Sequence, residues 1–185
     1  MRTFHWTTIL LVLAFAAGTL NNPNPAAAAS AADINRDVKN ALQDLYAKSP
    51  KAKELGERAI GILVFPGIVK GGFIVGGQFG EGALLKDGKT AGYYNTLSVS
   101  YGLQVGLQKY GYALFFMTDS ALNWIDKSDG WEIGVGPSIV VVDVGAATSK
   151  TTTTLQSEIY AFFFDQKGLM GGLGLQGTKI TRINK

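Results

Sequence analysis

Residues Leu97–Leu107 read LSVSYGLQVGL. Leu97, Val99, Tyr101, Leu103, Val105 and Leu107 occupy every second position, with Ser98, Ser100, Gly102, Gln104 and Gly106 between them. Successive side chains of a strand point to opposite faces, whereas a helix would scatter these six around its circumference. The stretch therefore predicts a single strand with one apolar face, and its neighbours keep the same period. Tyr110–Met117 continues as strand. Upstream, Ile62–Phe65 is a short apolar strand expected to end at Pro66-Gly67. Gly71–Ala83 sets Phe73, Val75 and Phe79 on one face against Gly72, Gly76, Gly80 and Gly82 on the other. Asp87-Gly88, between Leu84-Leu85 and Thr90–Tyr94, is a two-residue hairpin signal. Downstream, Thr118 or Asp119 caps a short helix through Ile125, Asp129-Gly130 turns the chain, and Trp131–Val144 is rich in strand. The runs Ile139–Val142 and Ile159–Phe164 are apolar on both faces and predict strands buried on both sides. Leu169–Ile183 reads as a final glycine-interrupted strand or hairpin.

Of 24 glycines, 22 lie between Gly61 and Gly177. Glycine weakens a strand, so this density calls for sharp coiling, bulges or closely layered backbones. Ahead of the β part, the apolar residues Ile34, Val38, Ala41, Leu42 and Leu45 recur at helical spacing in Asp33–Lys48. Asp33, Asp37 and Asp44 run along one flank of that stripe, with Arg36 and Lys39 on the other. Ser49-Pro50 is an N-cap followed by proline at the first helical position, opening a second helix over Lys51–Ala59. The expected fold is α+β: N-terminal helices packed on a strongly curved, glycine-rich antiparallel sheet or partly closed barrel.

The amino terminus has the three parts of a secretory signal: Arg2, an apolar run at Thr7–Gly18, and small residues ending at Ala29. About 12 apolar residues are short for a membrane span. Residues 1–29 are thus expected to be a cleaved signal peptide, followed by a helical segment at 30–60 and a β part at 61–185, forming one domain. The expected destination is the periplasm or beyond.

The chain has no cysteine and one histidine, His5, inside the expected signal. This removes disulfides, Ser-His-Asp and Cys-His catalysis, and the usual zinc, haem and iron–sulfur ligands. No cofactor is expected, and no catalytic residue is assigned. The net charge of +3 comes from 17 basic against 14 acidic residues, too even a balance for a nucleic-acid stripe. Gly172-x-Gly174-x-x-Gly177 spells a dinucleotide fingerprint, but no helix and second strand can follow it in the eight remaining residues, so nucleotide binding is not expected. Asp126, Asp129 and Glu132 lack the spacing of a calcium loop and read as turn acids. Lys39, Lys48, Lys51, Lys53 and Arg58 gather on or between the two helices, with Lys70 after the first strand. An ordinary solvated surface is one reading; contact with anionic headgroups is the other.

The β part closely resembles the SYLF domain family. The matching stretches are ILVFPGIVKGGFIVGGQFGEGALL (Ile62–Leu85), GYYNTLSVSYGLQVGLQ (Gly92–Gln108), FFMTDSAL (Phe115–Leu122), DGWEIGVGPSIVVVD (Asp129–Asp143), TTTT (Thr151–Thr154) and IYAFFFDQKGLMGGLGLQGTKITRI (Ile159–Ile183). The likeness spans about residues 58–183. It implies a non-enzymatic domain that binds lipid or phosphoinositide, with actin binding in some fungal members. The signal peptide would separate this chain from actin and cytosolic phosphoinositides, leaving anionic phospholipid as the natural partner. On that reading the headgroup contacts fall to Lys39, Lys48, Lys51, Lys53, Arg58 and Lys70. The alternatives are an outer-membrane β-barrel and a periplasmic protein-interaction module.

Overall fold

The computed structural model describes residues 29–72, 75–101, 106–127, 130–142, 157–168, 175 and 177–185. All but the last residue of the expected signal segment, the Thr151–Thr154 tetrad and most of the Gly172–Gly177 fingerprint lie outside them. Two helices lead the chain, α1 (Ala31–Lys48) and α2 (Pro50–Gly56). The Ser30 hydroxyl accepts from the Asp33 amide at one start, and the Ser49 hydroxyl from the Ala52 amide at the other, satisfying amides that a helix leaves unbonded. Ile34, Val38, Ala41 and Leu45 are buried, as the stripe requires. The second helix stops at Gly56, three residues short of expectation; Glu57 and Arg58 turn the chain.

Eight strands follow: β1 (Gly61–Gly72), β2 (Val75–Lys86), β3 (Lys89–Tyr101), β4 (Gly106–Phe116), β5 (Trp131–Glu132), β6 (Ile139–Val142), β7 (Ile159–Gly168) and β8 (Lys179–Ile183). A short helix, α3 (Asp119–Leu122), capped by Thr118, sits between β4 and β5. The strands form one sheet in the order β5-β8-β3-β2-β1-β4-β7-β6, curled into a half-barrel. The rings of Trp131 and Phe116 meet at 6.2 Å although β5 and β4 are five strands apart in that order. Only a curled sheet brings them together.

Four sequence readings need correction. The Leu97–Leu107 stretch is not one strand but parts of two, since Val99 on β3 pairs with Gly77 and Leu107 on β4 pairs with Gly71. Pro66-Gly67 does not end β1; it forms a bulge, with register shifts between Phe65 and Ile68, and the strand runs on to Gly72. Proline lacks the ladder donor, and a bulge is where a sheet tolerates that. The predicted Gly71–Ala83 strand spans the end of β1 and most of β2, since Gly71 and Gly72 pair with Gly77 and Gly76. Finally, β6 pairs with β7 in parallel, so the sheet is mixed, and β6 is an edge strand with Val141 56% exposed. The Asp87-Gly88 hairpin is as expected: both residues have positive φ, 49° and 72°, as a primed turn demands.

Alternate residues feed two cores. Leu63, Phe65, Ile68, Leu84, Tyr94, Tyr110, Tyr112, Leu114, Phe116, Trp131 and Ile180 fill the inner side of the curl. Ile62, Val64, Ala83, Ala113, Phe115, Phe162 and Phe164 line the outer side beneath α1 and α2. Burying each of the larger side chains is worth about 1.5–3 kcal/mol. The helix is also pinned at its start, where the Asn35 amide donates to the Tyr93 hydroxyl at 2.9 Å and accepts from Thr90 at 2.8 Å.

Three phenols are held neutral within this structure. Burial pushes the Tyr110 hydroxyl up to about 12 and raises Tyr112 further; burial, then a 2.6 Å hydrogen bond to Asp126, raises Tyr94. An acid whose pKa is raised on folding favours the fold while both states stay protonated. That advantage disappears as pH climbs from the unfolded value near 10 through the folded one. Urea unfolding at pH 8, 10 and 11 should therefore show stability falling steeply above pH 10. A flat profile would contradict the burial of these rings, and changing all three to phenylalanine should remove most of the slope.

Candidate functional site

The outer face of the sheet carries apolar side chains toward both ends, with Glu81, paired with Lys185 at 2.9 Å, and Asn95 between them, and the described elements cover only one end. Near Val64, Ala83, Ala113 and Phe162, the helices seal it. Past the β1 bulge none of the described elements covers the same face. There Val69 is 50% exposed, Phe79 49%, Leu97 50%, Val99 58% and Leu107 69%. Isolated exposed hydrophobics are ordinary; a contiguous group on one face is not.

Register makes the group contiguous. Val69 pairs with Phe79 and Phe79 with Leu97, so three apolar side chains stand abreast on β1, β2 and β3. The same row continues through Lys109 to Lys167 on one side and through Lys179 to Glu132 on the other. All four charged residues are exposed. One row nearer the end of β1 stand Leu107, Gly71, Gly77 and Val99, again in direct register. Paired residues in a ladder share a face. The surface is therefore an apolar strip with lysines at both ends.

The inverse arrangement holds on the inner face at this level. Gln78, Thr96, Gln108 and Thr178 are buried. The Tyr110 hydroxyl donates to Gln78 at 2.5 Å, Gln78 donates to Thr178 at 3.1 Å, and Tyr112 donates to Thr96 at 2.8 Å. These hydrogen bonds let Gln78, Thr96 and Thr178 stay inside, while the Gln108 side-chain oxygen is buried without a partner among the described residues; the apolar members of the alternation are left outside.

Between the covered and uncovered halves lies an open groove of about 280 Å³. Asp37, Asn40 and Asp44 of α1 face Pro66, Gly67, Lys109 and Asp165 across it. Lys48 closes one end by a 2.9 Å bond to Asp165; that bond, then the carboxylate's charge, holds the ammonium above the usual lysine range. The flank of α1 nearest the bare strip is thus acidic.

The six basic residues singled out in the sequence occupy several places. Lys51 and Arg58 both reach Glu54, at 3.0 and 3.9 Å. Lys53 is exposed on the same short helix, and Lys48 bonds Asp165. Lys39 is exposed on the α1 flank opposite Asp37 and Asp44. Lys70 shares the inner face with Ile68 and pairs with Gln78 and Gln108. Lys48, Lys51, Lys53 and Arg58 are brought together around the helix junction; Lys39 and Lys70 are not. Sequence reading passed over Lys109, Lys167 and Lys179, which lie on three strands and become neighbours of one apolar row only through register. Among the described residues there is no metal-binding cluster of acids or histidine and no helix long and apolar enough to cross a membrane.

Residues 97–185 match the family model Ysc84, described as "Las17-binding protein actin regulator". No curated protein matches the chain significantly.

Proposed function

Because residues 97–185 carry a Ysc84 (SYLF) domain, of a family of binding domains, we propose that this protein binds lipid, associating peripherally with anionic phospholipid membranes after export to the periplasm. The observation that carries this reading is the exposed apolar strip with lysines at its ends. Apolar side chains standing in water gain by entering the headgroup–acyl boundary, and nearby cations gain from an anionic surface. No catalytic side chain enters this reading. The expected export rests on the Arg2, Thr7–Gly18 and Ala29 pattern, and processing of the chain with its product recovered in the periplasm would support it.

Co-sedimentation of the full chain with phosphatidylglycerol and with phosphatidylcholine vesicles tests the lipid reading. An apolar leader alone would not distinguish the two lipids. Binding should be stronger to phosphatidylglycerol and should weaken as salt rises from 50 to about 500 mM, where the screening length becomes only a few ångströms. Equal binding to both vesicles at low salt would overturn the headgroup preference.

A further inference from the structure

Resting on that reading, we infer that the membrane is met by the bare half of the outer sheet face, with α1 and α2 held away from it. Phe79, Leu97, Val99 and Leu107 enter the acyl boundary, while Lys109, Lys167 and Lys179 take the phosphates. The geometry suits this occupant. Lys109 and Lys179 are four strand spacings apart, about 19 Å along the sheet. They flank Val69, Phe79 and Leu97 in a single row, so both ends reach headgroups when the middle is immersed. Against the three lysines, Glu132 is the one acid of that row. Asp37 and Asp44, beside the strip on α1, would be repelled by the same anionic surface, which tilts the helices outward.

Size and charge argue against a second copy as the occupant. Two rows on four strands cover about 200 Å², whereas a stable protein interface takes about 800 Å² from each partner. A second copy laid on it row to row would also set lysine against lysine. A bilayer requires only that a few apolar side chains be admitted.

The Gly77 site belongs to this surface and is not demanded by packing. A Cβ there would meet nothing nearer than the Ser98 carbonyl oxygen at 3.7 Å. A larger apolar side chain fits, and it would lengthen the immersed strip.

The chain has no cysteine, so single labels report position cleanly. Val99→Cys, Leu107→Cys and Lys53→Cys, each in the full chain, would carry an environment-sensitive nitrobenzoxadiazole label. On adding phosphatidylglycerol vesicles, the labels at 99 and 107 should shift to the blue and brighten at least twofold, while the label at 53 stays water-like. Changing Lys109, Lys167 and Lys179 together to Gln should weaken phosphatidylglycerol binding at least tenfold, and the same change at Lys39, Lys51 and Lys53 less than threefold. Gly77→Leu should strengthen binding. If the protein binds vesicles but the label at 53 responds and those at 99 and 107 do not, this orientation is wrong and the lipid reading stands. If the chain binds neither vesicle, the lipid reading itself fails. A blue shift at 99 that grows with protein concentration in the absence of vesicles would assign the face to a second copy and overturn the inference.

Discussion

Replacing Gly82 with alanine is expected to destabilise the protein by about 3 kcal/mol or more, a cost at the severe end for overpacking. The added methyl would collide with the Val64 carbonyl oxygen and come within 2.7 Å of the Phe65 ring. The backbone oxygen cannot swing aside as a side chain would, because it belongs to the stretch of β1 leading into the bulge. Gly80 meets the other side of the same bulge, with the Gly67 carbonyl oxygen 2.8 Å from its would-be Cβ. These two glycines let the β1 bulge press against β2, and the bulge divides the helix-covered half of the outer face from the bare half. Gly77→Ala is the matched comparison, three residues from Gly80 along β2, on the opposite face and free of close contacts. Glycine in a strand costs about 0.5–1 kcal/mol relative to alanine, so that variant should be neutral or slightly more stable. Urea unfolding of the two proteins decides the matter: a Gly82→Ala midpoint at the wild-type value would mean that the bulge is not pressed against β2.

The helices were legible because their evidence is local. Ser49-Pro50 and the stripe from Ile34 to Leu45 each sit within a few turns of chain, and so does the Asp87-Gly88 turn. The sheet was legible as strand but not as architecture. Alternation in LSVSYGLQVGL records that two faces differ; it does not record which one is wet, nor that its two ends belong to different strands, β3 and β4. The outward position of Leu97, Val99 and Leu107 depends on Gln78, Thr96 and Thr178 hydrogen-bonding within the interior. Those partners are up to 100 residues apart, beyond any windowed pattern. The candidate site divides in the same way. Lysines clustered along the helices were visible as a charge run, although α1 places Lys39 and Lys48 on opposite flanks. Lys109, Lys167 and Lys179 are separated by long stretches of chain, and only strand pairing sets them along one row.

Along β4 the structure predicts a sharp contrast between large apolar residues. Phe115 is fully buried against α1, with its ring 5.1 Å from that of Phe162, and Phe115→Ala should cost about 3–5 kcal/mol through lost contacts and the cavity left behind. Leu107 lies on the same face of the same strand, yet two-thirds of it is in water, and Leu107→Ala should change stability by less than about 0.5 kcal/mol. The same two variants should exchange rank in vesicle binding: the leucine change weakens adhesion in a protein that remains folded, and Phe115→Ala lowers the folded fraction without altering the affinity of what remains. Measuring unfolding and phosphatidylglycerol binding on the same preparations separates the two effects. If Leu107→Ala proved as costly to the fold as Phe115→Ala, the bare half of the sheet would be packed in solution, and a bilayer would have to displace whatever covers it. A leucine that the fold can spare, kept in water beside lysines, is better explained by a surface it meets than by a core it fills.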